Sequence, residues 1–226
     1  MPTVRTWRAV LGVCVLGVGL AAVPATAHAQ TPVLCSERAL VAAINAANAV
    51  GGDILALTPG CTYTLTSAHG GGPDGPVGLP PVTAPITLLG LGNTIARDPG
   101  APPFRILQVE GASNVPDTHG QLSMAGVTIR GGSAVTPYPG GGIANLGGTL
   151  SLVASSVTGN TAVAGGGIYT DNGAVSLTTS SVTGNSATDS GGGIYVNSGG
   201  VTTLVSTISG NTPDNCAPSG SVPGCS

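Results

Sequence analysis

A short motif, Gly140-Gly141-Gly142-Ile143, returns as Gly165-Gly166-Gly167-Ile168 and as Gly191-Gly192-Gly193-Ile194, at steps of 25 and 26 residues. Each copy closes alike, at Ser156-Val157-Thr158-Gly159-Asn160, Ser181-Val182-Thr183-Gly184-Asn185 and Thr207-Ile208-Ser209-Gly210-Asn211. A fixed period of this length marks a chain built of stacked units, each packing on its neighbour. Within a unit the large apolar residues stand seven apart: Ile143, Leu150, Val157; Ile168, Val175, Val182; Ile194, Val201, Ile208. β-Branched runs broken by Gly, Asn and Ser read as short strands and bends. A helical repeat would need apolar residues at a 3.6-residue spacing and would tolerate little glycine. The expected fold is all-β, a single-stranded parallel β-helix solenoid with three strands per unit and three apolar columns facing a common core.

Parallel strands hydrogen-bond edge to edge at about 4.8 Å, so each residue should lie above its counterpart, and a slip would bury the wrong face. Asn160, Asn185 and Asn211 then form an expected structural ladder at a bend, where asparagine tolerates unusual backbone. The pattern continues upstream in weaker form. Leu122-Ser123-Met124 followed by Ile129 aligns with Leu150-Ser151-Leu152 followed by Val157, and earlier strands are expected at 54–57, 63–65, 86–89, 94–96 and 106–109, about six coils in all. Ser36 can cap a helix over 36–50, with Leu40, Ala43, Ile44 and Ala47 on one apolar face and Gly51-Gly52 as its stop. This helix should close the first coil. Residues 69–85, rich in Gly and Pro, read as a loop leaving the coil. Pro213 and Pro218 end the repeat, leaving 213–226 as a closing tail.

The chain opens with Arg5 and Arg8, an apolar stretch over 9–23, and Ala27-His28-Ala29, the order of a signal peptide cleaved after Ala29. Segment 1–29 is therefore expected to leave, taking Cys14 with it, and 30–226 to be the exported domain, secreted and extracellular or attached to the cell surface. Fifteen or so apolar residues are short for a membrane span, which needs about 20, and no transmembrane span is expected in the mature chain. Four cysteines remain, Cys35, Cys61, Cys216 and Cys225, and an oxidising compartment favours disulfides. Three connectivities are open. The local pairs Cys35–Cys61 and Cys216–Cys225 are favoured because each would staple one end. A metal site is the weaker reading, since the spacing fits no zinc pattern and no histidine is near.

Six basic residues, all arginine, face nine acids. Removal of Arg5 and Arg8 leaves the domain acidic, which argues against nucleic acid as a partner. Although 38 glycines accompany this low charge, 41% of residues are hydrophobic and the glycines recur at fixed places, so the composition belongs to an architecture and not to a disordered chain.

Chemistry is thinly signalled. Asp171 and Asp189 fall at different offsets in the repeat and are not expected to stack. Asp117-Thr118-His119-Gly120, with Arg130 downstream, is a stretch mixing acid, imidazole and guanidinium, the groups of general acid–base catalysis. No catalytic residue, metal or cofactor is assigned. Tyr169 and Tyr195 each follow the repeat isoleucine, and strand alternation puts them outside, one above the other. A pair of stacked, exposed tyrosines is a candidate docking surface for sugar rings or a protein.

The Gly-Gly-Gly-Ile and Ser-Val-Thr-Gly-Asn units, Leu40-Val41-Ala42-Ala43-Ile44-Asn45-Ala46-Ala47-Asn48, and the tail from Pro213 together resemble secreted bacterial right-handed parallel β-helix proteins of the pectin-lyase-like superfamily. The repeats are similar to those of polymorphic outer-membrane proteins. The resemblance implies right-handed winding and admits two functions. One is a non-enzymatic surface protein binding a glycan, cell-wall polymer or protein partner; the other is a polysaccharide lyase or glycoside hydrolase. The chain departs from the enzymatic members in lacking their recognisable acid clusters.

Overall fold

The computed structural model describes residues 30–225; the expected signal peptide and its cleavage point at Ala29 lie outside them. Among the described residues the chain forms short strands and one helix, and the strands pair in parallel with their counterparts one repeat on. The apolar columns meet in register. Ile143 pairs Ile168, which pairs Ile194; Leu150 pairs Val175, which pairs Val201; Val157 pairs Val182, which pairs Ile208. All of them are buried except Ile208, which is only half-buried because no further repeat follows it.

The largest sheet has two runs. One carries Thr31–Val33, Asp53–Leu57, Pro85–Arg97, Gln121–Arg130, Thr149–Val153, Gly173–Thr178 and Gly199–Leu204. The second carries Thr62–Leu65, the far halves of Pro85–Arg97 and Gln121–Arg130, then Ser156–Thr158, Ser181–Thr183 and Thr207–Ser209. A five-stranded sheet is made of Leu107–Glu110, Ile143–Leu146, Ile168–Asp171, Ile194–Val196 and Cys216–Ala217, and a two-stranded one of Thr161–Ala164 and Ser186–Ser190. The first run reaches seven strands against the expected six coils. Its extra member, Thr31–Val33, is three residues long and contains a proline, too little pattern to read from sequence.

Buried amides hold the bend. Asn160 donates from its backbone N–H (3.1 Å) and its Nδ2 (3.0 Å) to Asn185 Oδ1, and Asn185 does the same to Asn211 Oδ1 at 2.9 and 3.0 Å. Each Nδ2 also donates to a carbonyl one repeat back, at Ile129, Val157 and Val182. The glycine triplets make room for this. A Cβ on Gly167 would lie 2.9 Å from Asn185 Nδ2 and 2.6 Å from the Gly193 carbonyl, and Gly165 sits at φ +61°. Bulkier residues are excluded there by contact and by backbone conformation.

A second ladder escaped sequence reading. Ser155, Ser180 and Ser206 lie at the opposite bend, each accepting a backbone N–H from one repeat back (Val127, Ser155 and Ser180, at 3.1–3.2 Å). The residue before each serine, Ala154, Thr179 or Val205, holds φ between 47° and 50°. Recurrence of serine at the repeat period was the available signal, hidden among many other serines.

Both ends are closed. Helix Glu37–Val50 is capped by Ser36, whose Oγ accepts from the Ala39 N–H at 3.2 Å, and ends at Gly51 with φ 83°. Leu40, Ile44 and Ala47 join the core, and Asn48 pins the helix end to the Pro81 carbonyl (2.8 Å) and the Thr83 N–H (3.0 Å). At the other end Asp214 Oδ1 accepts from Gly191 N–H at 2.6 Å, replacing the next repeat's carbonyl, and Asn215 Oδ1 receives the last ladder amide. Disulfides join Cys35 to Cys61 and Cys216 to Cys225. Residues 69–85 do not simply leave the coil as expected. Val77, Leu79 and Val82 are fully buried, and bridges pair Val77 with Arg105 and Val82 with Val109, because the alternating apolar residues outweigh the turn chemistry around them.

Replacing Asn185 by alanine removes amide bonds on both sides and strands buried backbone groups, a loss of about 3 kcal/mol in denaturant unfolding, with Asn211→Ala, which loses the same set of bonds at a slightly more exposed position, costing somewhat less. A loss under about 1 kcal/mol for Asn185→Ala would show that the ladder is incidental. From loop length, removing Cys35–Cys61 should cost roughly 3.5 kcal/mol and removing Cys216–Cys225 roughly 2.7 kcal/mol, read as the two double-serine variants in the same assay.

Candidate functional site

Outward residues of the five-stranded sheet form two neighbouring columns. Register places Gln108, Ala144, Tyr169, Tyr195 and Ala217 in one, and Glu110, Leu146 and Asp171 in the other. The Tyr169 and Tyr195 rings stack as the repeat leads one to expect, with centroids 5.7 Å apart and planes 11° from parallel. Both are half-buried, and alanine above and below limits the platform to two rungs.

Beside Tyr169 opens a cleft of about 310 Å³ lined by Asp74, Arg105, Asn114, Tyr138, Leu146 and Asp171, with Pro73, Pro137 and Pro139. The strand supplies Asp171, while Asp74, Asn114 and Tyr138 arrive on segments that interrupt the repeat.

A closed ring of hydrogen bonds underlies the cleft. Arg105 Nη1 donates to Gln108 Oε1 at 2.7 Å, and Gln108 Nε2 donates to Glu110 Oε1. Asn114 Nδ2 donates both to Glu110 Oε2 at 2.6 Å and to Asp74 Oδ2 at 3.2 Å, and Arg105 Nη2 returns to the Asp74 carbonyl. Arg105, Gln108 and Glu110 are 1%, 3% and 4% exposed. A buried charge costs several kcal/mol unless it is met by partners, and this ring meets it with two carboxylates and two amides. Burial pushes the Arg105 guanidinium down to about 10, opposed by Asp74, Glu110 and Tyr138. It stays charged at neutral pH. Its Nε lacks a hydrogen-bond partner. Burial, followed by Asp171 and Tyr195, raises the Tyr169 phenol above its ordinary value, so Tyr169 keeps its proton.

The groups singled out for acid–base chemistry are not brought together. Asp171 lines this cleft and accepts from Ser198 Oγ at 2.6 Å; His119 lines a different cavity; Arg130 and Asp189 are exposed on separate strands. What sequence reading missed is the convergence of Asp74, Arg105 and Glu110. Only Glu110 sits in a strand, and all three lie in the irregular upstream half, where no repeat offset ties them together. Among the described residues no three of His, Cys, Asp and Glu form a group able to hold a metal ion, and no helix is long and apolar enough to cross a membrane.

Asp74 depends on the segment that carries it. That segment is anchored at Glu37, which accepts from Thr66 N–H (2.9 Å), Thr66 Oγ1 (2.7 Å) and Ser67 N–H and meets His69 Nε2 at 2.8 Å. Burial acts to raise the Glu37 carboxyl, but bonds from Thr66, His69 and Ser67 outweigh it and hold the group below its usual 4.5. A depressed carboxyl stabilises the fold above its unfolded value, and the benefit is lost as pH falls through the folded one. Melting temperature should drop as pH falls below about 4.5, and Glu37→Gln should make that slope shallower. An unchanged slope would show that the anchor does not titrate with folding.

No family model, no curated protein and no solved structure matches the chain.

Proposed function

We propose that the chain is an exported, right-handed parallel β-helix that binds a glycan in the cleft beside Tyr169, without cleaving it. The observation that carries this reading is the Tyr169–Tyr195 stack at the edge of a concave site whose other walls offer Asp74, Asn114, Tyr138 and Asp171. A sugar ring has an apolar C–H face suited to an aromatic ring and a rim of hydroxyls suited to carboxylate and amide groups. Nucleic acid is a poor fit, because the cleft is lined by carboxylates and its arginine is already engaged. The two disulfides suit an extracellular setting.

One observation favours the alternative of a lyase or hydrolase: Asp74 and Glu110 share the same Asn114 amide nitrogen, so two carboxyl groups lie close together. Glu110, however, is 4% exposed and held by Gln108 and Asn114, a poor position for reaching a substrate.

A glycan panel scored for both binding and product release separates the two. Binding without release is expected, and Tyr169→Ala should weaken it about tenfold, with Tyr195→Ala, which supports the Tyr169 ring from behind, weakening it about threefold. Release of shortened products would replace this reading with the enzymatic one.

A further inference from the structure

The charge arrangement of the cleft selects among glycans. Resting on the reading that this cleft binds a glycan, we infer that its ligand carries ammonium groups, as in a polymer of amino sugars, and not carboxylates or sulfates.

Asp74 and Asp171 line the cleft and Glu110 lies directly beneath, joined to Asp74 through Asn114. Against these three carboxylates stands one cation, Arg105, and it is not presented to a ligand as an anion clamp. The residue is 1% exposed, and its Nη1 and Nη2 are occupied by Gln108 Oε1 and the Asp74 carbonyl. Its function is to neutralise part of the carboxylate charge from below. Its Nε, also without a partner, is buried and so is not presented to a ligand either.

Among the described residues no other cation lines the cleft. Arg97 is held by the Gly131, Asp98 and Ala101 carbonyls, Arg130 is exposed at the end of a strand in another sheet, and His69 is engaged with Glu37. The sequence has no lysine. A uronic acid or sulfated sugar would therefore bring an anion against carboxylates with nothing to neutralise it, at the cost of like-charge repulsion. An ammonium group meets the reverse. Asp74 and Asp171 attract it, and Tyr138 and Tyr169 line the same cleft, where an aromatic ring adds to the attraction for a cation. An aromatic wall with carboxylates beside it is the arrangement that recognises an amine on a sugar.

The test is calorimetric titration of the purified protein with glucosamine oligomers, their N-acetylated counterparts, neutral glucose oligomers and galacturonate oligomers, all of equal length. Glucosamine oligomers should bind at least about tenfold more tightly than the N-acetylated ones at low salt, and the ratio should shrink as ionic strength rises. Asp171→Asn and, separately, Asp74→Asn should narrow the ratio severalfold; using both variants, each checked for an unchanged circular dichroism spectrum, guards against loss of fold. Equal or tighter binding of the neutral, N-acetylated or galacturonate oligomers overturns the charge inference while leaving the glycan reading intact. So does a ratio untouched by both substitutions. Absence of binding to any of the four overturns the glycan reading itself.

Discussion

Every feature of this protein depends on parallel pairing in register between one unit and the next. Hydrogen bonds between neighbouring strands place each residue on its counterpart, and side chains alternate inward and outward, so a one-residue slip would turn Ile168, Val175 and Val182 out to solvent. Backbone pairing by itself does not specify which register is chosen. The asparagine ladder does, because Asn185 Oδ1 accepts from Asn160 25 residues earlier, while its own amide reaches Asn211 26 residues later. Shifted by one residue, these amides would lie buried without partners. The apolar columns supply the attraction and the polar ladders supply the alignment, an arrangement in which buried polar groups act for specificity more than for strength.

Stacked units leave unsatisfied surfaces at their ends, and here the two ends are closed by different means. At the start a helix lays Leu40, Ile44 and Ala47 on the core while Tyr63, fully buried, donates to the Val33 carbonyl and accepts from Thr58. At the finish Asp214 and Asn215 imitate the next repeat with side-chain oxygens, and Val222 from the disulfide loop is buried in the core. Closing both ends in this way keeps strand edges from pairing with other chains.

The candidate site arises where the repeat is interrupted. In the downstream units successive strands follow at steps of 25 and 26 residues, and the outward faces carry mostly Ser, Thr and small residues. Upstream, the added segments that carry Asp74, Asn114 and Tyr138 fold back over the five-stranded sheet and turn part of a flat face into a cleft. Arg105 lets this happen, since it ties the Asp74 segment to the strand bearing Gln108 and Glu110. Regular units thus provide a rigid floor, and irregular segments provide the chemistry.

Which parts could be read beforehand follows from the range over which each signal acts. The strand columns, the Asn160–Asn185–Asn211 ladder and the stacked tyrosines follow from the repeat, because a period of 25 or 26 residues maps sequence distance onto neighbours in space; the capping helix was legible from its own cap and apolar face, and the disulfides only as the favoured one of three connectivities. The serine ladder obeyed the same rule and was masked only by the abundance of serine. Residues 69–85 misled because turn chemistry is local, whereas burial of Val77, Leu79 and Val82 is decided by what packs on them. Asp74, Arg105, Glu110 and Asn114 share no period, so only the tertiary structure could bring them together. The sequence by itself determined the repeat, its register and its core; the folding of non-repeating segments across a regular face decided where charge and aromatic rings meet, because contacts between such segments leave no fixed spacing in the chain.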